Sequence, residues 1–180
     1  METRPNGREG GGATYNRAMP QLRPEIQPIF ERFIAGPTII RRAIDGIDAG
    51  TLNRRPPGED WSIRDIIVHV SDAELWAAVR FRMVVAEEEP RFPAHDEERW
   101  KRRLHYLWRD PEAAVSMFQQ VRYGTAELLQ QCDRAAWGRT GIHAERGAMT
   151  LEDLLEYYAA HAEEHADQIR RWRSGGERRP

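Results

Sequence analysis

The sequence predicts an all-α fold, a four-helix bundle with a long crossover between its second and third helices. Three observations predict it. Four segments repeat apolar residues at three- and four-residue steps, the period at which side chains return to one face of a helix. Three of the four open on a residue able to cap a helix N-terminus. No stretch alternates apolar and polar residues for long enough to argue for a strand. A length of 180 residues suits one core, an apolar fraction of 40% can fill it, and 31% charged residues is too much charge for a membrane span.

The first helical segment carries Ile26, Ile29, Phe30, Phe33, Pro37, Ile40, Ile44 and Ile47 on one stripe and ends near Gly50. Pro37 lacks an amide hydrogen and crowds the preceding turn, which predicts a kink or break there. The second runs from Ser62 to about Glu89, with Ile63, Ile66, Ile67, Val70, Ala73, Ala77, Phe81 and Val84 as its stripe. Ser62 and Asp65 form a capping-box pair at its start, Trp61 packs in front of that cap, and Pro90 marks its stop. Residues 91–109 form the crossover, where Trp100, Leu104, Leu107 and Trp108 suggest a short helix. The third segment opens with Asp110 as N-cap and Pro111 at the first helical position, then places Ala114, Val115, Phe118, Val121, Thr125, Leu128, Leu129 and Cys132 on its stripe. The fourth opens with Thr150 and Asp153 and carries Leu151, Leu154, Leu155, Tyr158, Ile169 and Trp172. Residues 1–20, with the run Gly10 to Gly12, and 174–180 read as flexible tails around a single domain at 21–173.

Composition narrows the chemistry. Lys and Arg total 27 against 29 Asp and Glu, a net charge of −2, so no basic field draws the chain onto nucleic acid. Arg170, Arg171 and Arg173 sit at a helix C-terminus, where the macrodipole favours cations without any nucleic-acid partner. One cysteine excludes an internal disulfide and any cysteine-rich zinc site, and the opening residues show no signal segment; the expected location is the cytoplasm, with no membrane partner. Cys132 lies on the third stripe and reads as a buried structural residue. Metal or catalytic chemistry therefore falls to six histidines, the carboxylates and water.

The fourth stripe has an anomaly. Continuing its period from Tyr158 places His161 and His165 where Leu or Ile is expected, and imidazoles four residues apart can chelate one ion. His69 stands beside the core stripe of the second helix, next to Ile66, Val70 and Ala73. Three neutral imidazoles converging from two helices make a tetrahedral or facial octahedral site for a divalent metal. His161 to His165 also spells His-x-x-Glu-His, the pattern of inverted zinc peptidases, but only fifteen residues follow and their carboxylates are Asp167 and Glu177, too few and too near for that architecture. Glu164, about 80° round the helix from the two histidines, either reaches a metal-held water as general base or stays on the solvated face.

These residues resemble the DinB-like superfamily, also called the YfiT-like metalloenzymes. The resemblance rests on 43–47 (Ala-Ile-Asp-Gly-Ile), on Pro57 through Trp61-Ser62 and His69 to Glu74, on His143 to Gly147, on Thr150 to Leu155, and on His161 to Ile169, and it spans roughly residues 22 to 173. It implies a four-helix bundle, often dimeric, holding nickel, zinc or a similar divalent ion, with the metal triad falling on His69, His161 and His165. Relatives of known activity include bacillithiol-using thiol S-transferases and mycothiol-dependent isomerases. The resemblance thus implies a metal-dependent enzyme acting on a small-molecule thiol or electrophile, with water as the variant nucleophile; a noncatalytic metal- or ligand-binding bundle in stress response is the alternative.

Two further side chains enter as candidates. Arg122, beside Val121 and Thr125, either pairs with a carboxylate inside the bundle or binds an anionic substrate. His143 lies in a loop before the last helix and either approaches the pocket mouth or faces solvent. His95 and His105, in the charged crossover, are expected to face solvent. Trp100 and Trp108 leave apolar surface for a symmetric homodimer.

Overall fold

The computed structural model describes residues 22–174. The segments expected as tails lie outside them, apart from Ser174, which caps the last helix. Four long helices form the expected bundle: α1 (Gln27–Ile44), α3 (Ile63–Ala86), α5 (Pro111–Gln130) and α6 (Leu151–Arg173), with the short α2 (Ala49–Asn53) and α4 (Glu97–Arg103) between them. Helices α1 and α3 each pack against α5 and α6, so α1 lies diagonally across the bundle from α3, and α5 from α6. Among the described residues no helix is long and apolar enough to cross a membrane.

Local chemistry sets the helix starts. Ser62 and Asp65 close a reciprocal capping box on α3, and Thr150 and Asp153 close another on α6. Asp110 accepts from the Glu112 amide ahead of α5, with Pro111 at the first position. The ends differ from expectation. Helix α1 stops at Ile44, because Gly46 takes a positive φ of 67° and turns the chain before Asp48 caps α2. Helix α3 stops at Ala86, ahead of Pro90.

The break expected at Pro37 does not occur. Helix α1 continues through it, and the carbonyl of Phe33, which Pro37 cannot serve, accepts a hydrogen bond of 3.0 Å from Arg122 Nη1. The stripe of α5 buries Ala114, Val115, Phe118, Thr125 and Leu129 as expected, but in its middle Arg122 is fully buried while Val121 is half-buried. Cys132 is half-buried rather than buried, and its Sγ contacts the Leu128 carbonyl one turn back.

A small sheet also departs from the all-helical expectation. Strands β1 (Arg91–Phe92), β2 (Thr140–His143) and β3 (Gly147–Thr150) lie in that order, β1 parallel and β3 antiparallel to β2. Gly141 makes the join possible, since a Cβ there would stand 2.3 Å from the Phe92 ring. Two- and four-residue strands are too short for alternation to mark them. Their effect is to pin the crossover against the end of the bundle, and to place His143 on a strand beside Phe92 rather than in a loop.

Candidate metal centre

Packing of α3 on α6 brings His69, His161 and His165 together. Small residues allow that approach: Ala73 and Ala77 face inward on α3, and Ala159, Ala162 and Ala166 are buried on α6. One nitrogen of each of the three rings lies within 4.8 Å of the other two, and no further histidine, cysteine or carboxylate of the described residues joins that group. His161 Nε2 is 3.2 Å from His69 Nε2 and 3.2 Å from His165 Nε2. Nitrogens bound to a tetrahedral zinc at about 2.0–2.1 Å stand about 3.3 Å apart, so the spacing suits a divalent ion held by imidazoles.

The surroundings prepare the rings as ligands. His165 Nδ1 donates to Gln168 Oε1 at 2.9 Å, which leaves the Nε2 lone pair directed at the other two rings. His69, 1% exposed, has no hydrogen-bond partner at Nδ1 and is held by packing. Trp61 meets it edge-on at 5.3 Å and His95 stacks on it at 6.1 Å with the planes 2° apart. Trp61 therefore does more than cover the cap of α3; its indole N–H donates to Glu98 and its ring packs on His69. Burial pushes His69 down to about 3, with the neighbouring His165 and His95 adding to the effect. Burial also holds His161 well below its ordinary value and lowers His165. All three are neutral at neutral pH, the form a metal requires.

Beside the rings lies a cavity of about 50 Å³ whose walls include His69, His161, His95, His143, Glu97 and Arg80. His143, 6% exposed, accepts from the Glu145 amide at Nδ1 over 3.2 Å, and burial together with the Arg80 charge lowers its pKa. His95 does not face solvent as expected: it packs between His69 and Trp100, with Trp100 at 4.5 Å. His105 does face solvent. Glu164 lies exposed and outside the cavity wall. The carboxylate near the centre is instead Glu97, from the N-terminal turn of α4, with Oε1 3.9 Å from His69 Nε2; burial, then Glu98 and Glu145, raise its pKa. Cys132 is also outside the cavity wall, and burial raises its thiol further from reactivity.

Arg122 resolves as an internal salt bridge. Its guanidinium donates to both carboxylate oxygens of Glu74, at 2.9 Å from Nε to Oε1, and to the carbonyl of Tyr158. The rings of Phe33 and Phe118 flank it at 4.1 and 4.7 Å. Gly36 leaves room for it, since a Cβ at that position would stand 2.6 Å from Nη1. Arg122 lies beneath the cavity and does not line it.

The model of the DinB superfamily matches residues 32–169. The chain belongs to the DinB superfamily. It is similar to YfiT of Bacillus subtilis, 22% identical over 134 residues that make up 74% of this chain and 75% of that one. The YfiT structure, described as a probable metal-dependent hydrolase with an unusual four-helix bundle topology, superposes with a TM-score of 0.78 at 21% identity, covering 89% of this chain and 94% of YfiT. A provisionally named metal-dependent hydrolase of Oceanobacillus iheyensis is 23% identical over 133 residues, 74% of this chain and 77% of its own. A mycothiol-dependent maleylpyruvate isomerase matches with a TM-score of 0.66 at 14% identity, over 80% of this chain and 60% of that enzyme. These likenesses confirm the four-helix bundle of the DinB superfamily.

Sequence reasoning had no place for Gln168, Glu97, Trp76 or Arg80 in the site. Gln168 carried a legible signal, standing three residues after His165 on the same helical face. The other three reach the cavity through the crossover or from the flank of the α3 stripe, where periodicity says nothing.

Proposed function

We propose that this chain is a metal-dependent enzyme, a thiol S-transferase in which His69, His161 and His165 hold one divalent ion, zinc or nickel, beside a cavity that admits a small thiol and an electrophile. The observation that carries the reading is three imidazole nitrogens facing one another, with the rings of His69 and His161 in the wall of a polar cavity and no fourth protein ligand among the described residues. A divalent ion held there supplies Lewis acidity, lowering the pKa of a thiol or water that joins it. Glu97 is the base, placed at the mouth of the cavity to accept the proton released. Gln168 keeps His165 in the ligating tautomer, and Trp61 and His95 keep the His69 ring in place. The mycothiol dependence of the isomerase with the same fold supports a thiol as the activated group, whereas the names of YfiT and its relatives favour water. A homodimer belongs to the same reading, through Leu107 and Trp108, which leave 52% and 84% of their surfaces exposed at the crossover; Trp100 packs on His95 instead.

The test is a panel of low-molecular-weight thiols with a chromogenic electrophile, alongside ester and amide substrates for the hydrolytic variant. Metal-loaded protein is expected to turn over at least one thiol, and Glu97→Gln to lower that rate by about 10²-fold or more with metal content unchanged. Rates no higher for metal-loaded than for metal-stripped protein contradict the enzyme reading and leave a noncatalytic metal-binding bundle.

A further inference from the structure

The cavity holds a second polar centre that the metal reading does not use. Arg80, on α3, is 4% exposed and lines the cavity. Its Nη1 donates to the Tyr158 hydroxyl at 2.7 Å and its Nη2 to the Pro93 carbonyl at 3.3 Å, while Nε is buried without a partner. No carboxylate oxygen of the described residues comes within 4.0 Å of its guanidinium. This contrasts with Arg122, the other buried arginine, which has Glu74. The rings of Trp76 and Phe92, each 5.7 Å from the Arg80 guanidinium carbon, soften the cost of the buried cation without neutralising it. Two more buried atoms without partners border the same cavity, Trp76 Nε1, which can only donate, and His95 Nε2. Ring by ring, 6.1 Å separates His69 from His95 and 6.2 Å separates His95 from Trp76, so these groups are a short molecule's length from the metal ligands.

We propose that Arg80 and Trp76 Nε1 form an anion subsite in the metal cavity, and that the substrate entering it carries a carboxylate. A carboxylate accepts from the guanidinium Nε–H and the indole N–H together, satisfying two orphaned donors and supplying the missing counter-charge. The exposed Glu97 and Glu145 stand at the mouth and the guanidinium stands inside, so the anionic end of a substrate is drawn past the rim while its reacting end remains near the histidines. The subsite gives the thiol-activation reading, on which its role in selection rests, a substrate class: a small thiol or electrophile bearing a carboxylate.

The experiment titrates the cobalt-loaded full chain with ω-mercaptocarboxylates of two to four carbons and with mercapto-alcohols of the same lengths, reading the thiolate-to-cobalt absorbance. At one length or more the acid is expected to bind about tenfold tighter than the matched alcohol. Arg80→Gln, which keeps a donor for Tyr158, is expected to remove that preference, and Arg80→Lys to retain part of it. Acids binding no tighter than alcohols at every length, or a preference that survives Arg80→Gln, overturn the proposal. Should Arg80→Gln fail to fold, Trp76→Phe deletes only the indole N–H and is expected to weaken the acids several-fold; unchanged acid affinity counts against the subsite. Absence of a thiolate band with any thiol strikes the thiol reading alone. The subsite is then tested with acetate through the Arg80 side-chain Nε–H resonance, where a saturable shift is expected and its absence overturns the proposal.

Discussion

The bundle interior contains two charged or chargeable clusters within a few residues of each other in sequence, and they are built in opposite ways. Around Arg122 the partners come from within: Glu74 supplies the counter-charge, each guanidinium nitrogen finds an acceptor among Glu74 and the carbonyls of Phe33 and Tyr158, two aromatic rings cover the faces, and Gly36 makes the space. Around His161 only one polar partner outside the rings comes from within, the Gln168 oxygen that accepts from His165 Nδ1. Three rings point nitrogens at one another, His69 has no partner at Nδ1, and the group opens onto a cavity. A buried polar cluster that is internally complete holds the fold together, whereas one whose lone pairs converge is complete only with an added cation. The difference separates architecture from function in a core where both lie on helix stripes.

The sharpest way to break the comparison is to remove one partner from the complete cluster. Arg122→Met leaves Glu74 buried without its cation and is expected to lower the unfolding free energy by about 3–5 kcal/mol, measured by urea denaturation. The double variant Arg122→Met/Glu74→Leu is expected to recover most of that loss, because it removes both charges. A loss no smaller in the double variant contradicts the view of Arg122 as a paired structural ion.

The histidine cluster should respond to metal instead. Excess zinc at about 100-fold over its dissociation constant is expected to raise the stability of the stripped protein by about 2.7 kcal/mol, seen as a shift in the unfolding midpoint. His165→Ala is expected to show no such shift, and a full shift in that variant would dissociate the effect from this cluster. Gln168→Leu preserves the three ligands and removes the acceptor that sets the His165 tautomer. Metal affinity is expected to fall about 10- to 100-fold, measured by competition with a chelator, with little change in metal-free stability.

The smallest effect concerns His143, which borders the cavity without joining the cluster. Its pKa lies below the ordinary 6.5, through burial and the charge of Arg80. The sign follows: as pH falls through 6.5 the unfolded chain takes up a proton that the folded chain refuses, so this residue reduces stability on the acid side and has no effect at neutral pH. The ring resonances are expected to titrate below 6.5, and Arg80→Gln to move the midpoint upward. A midpoint at or above 6.5 in the parent protein rules out that environment.

Local signals were the most legible part of the fold. The pairs Ser62 and Asp65, Asp110 and Pro111, and Thr150 and Asp153 announce three helix starts because capping depends on a few consecutive residues. His161 and His165 stood out because one helical period carries both, and His69 because it adjoins an unbroken apolar stripe. The sheet was hidden by strands shorter than an alternation can reveal, and its key residue is a glycine, Gly141, chosen for what it lacks. Arg122 was legible as a candidate for an ion pair inside the bundle, but its place on the stripe was given to Val121: hydrophobicity favours Val there, whereas the carbonyl that Pro37 leaves free on another helix favours Arg. The roles of His95, Trp76, Trp100 and Glu97 depend on how the crossover folds back over α3, a tertiary relation without a local period.

His69, His161 and His165 together are expected to hold one divalent ion, and the most direct measurement is metal content by elemental analysis after chelator treatment, reconstitution and dialysis. About one ion per chain is expected in the parent protein and a near-complete loss in His161→Ala, whose Nε2 stands 3.2 Å from each of the other two. Equal metal content in the parent and in folded His161→Ala would contradict it.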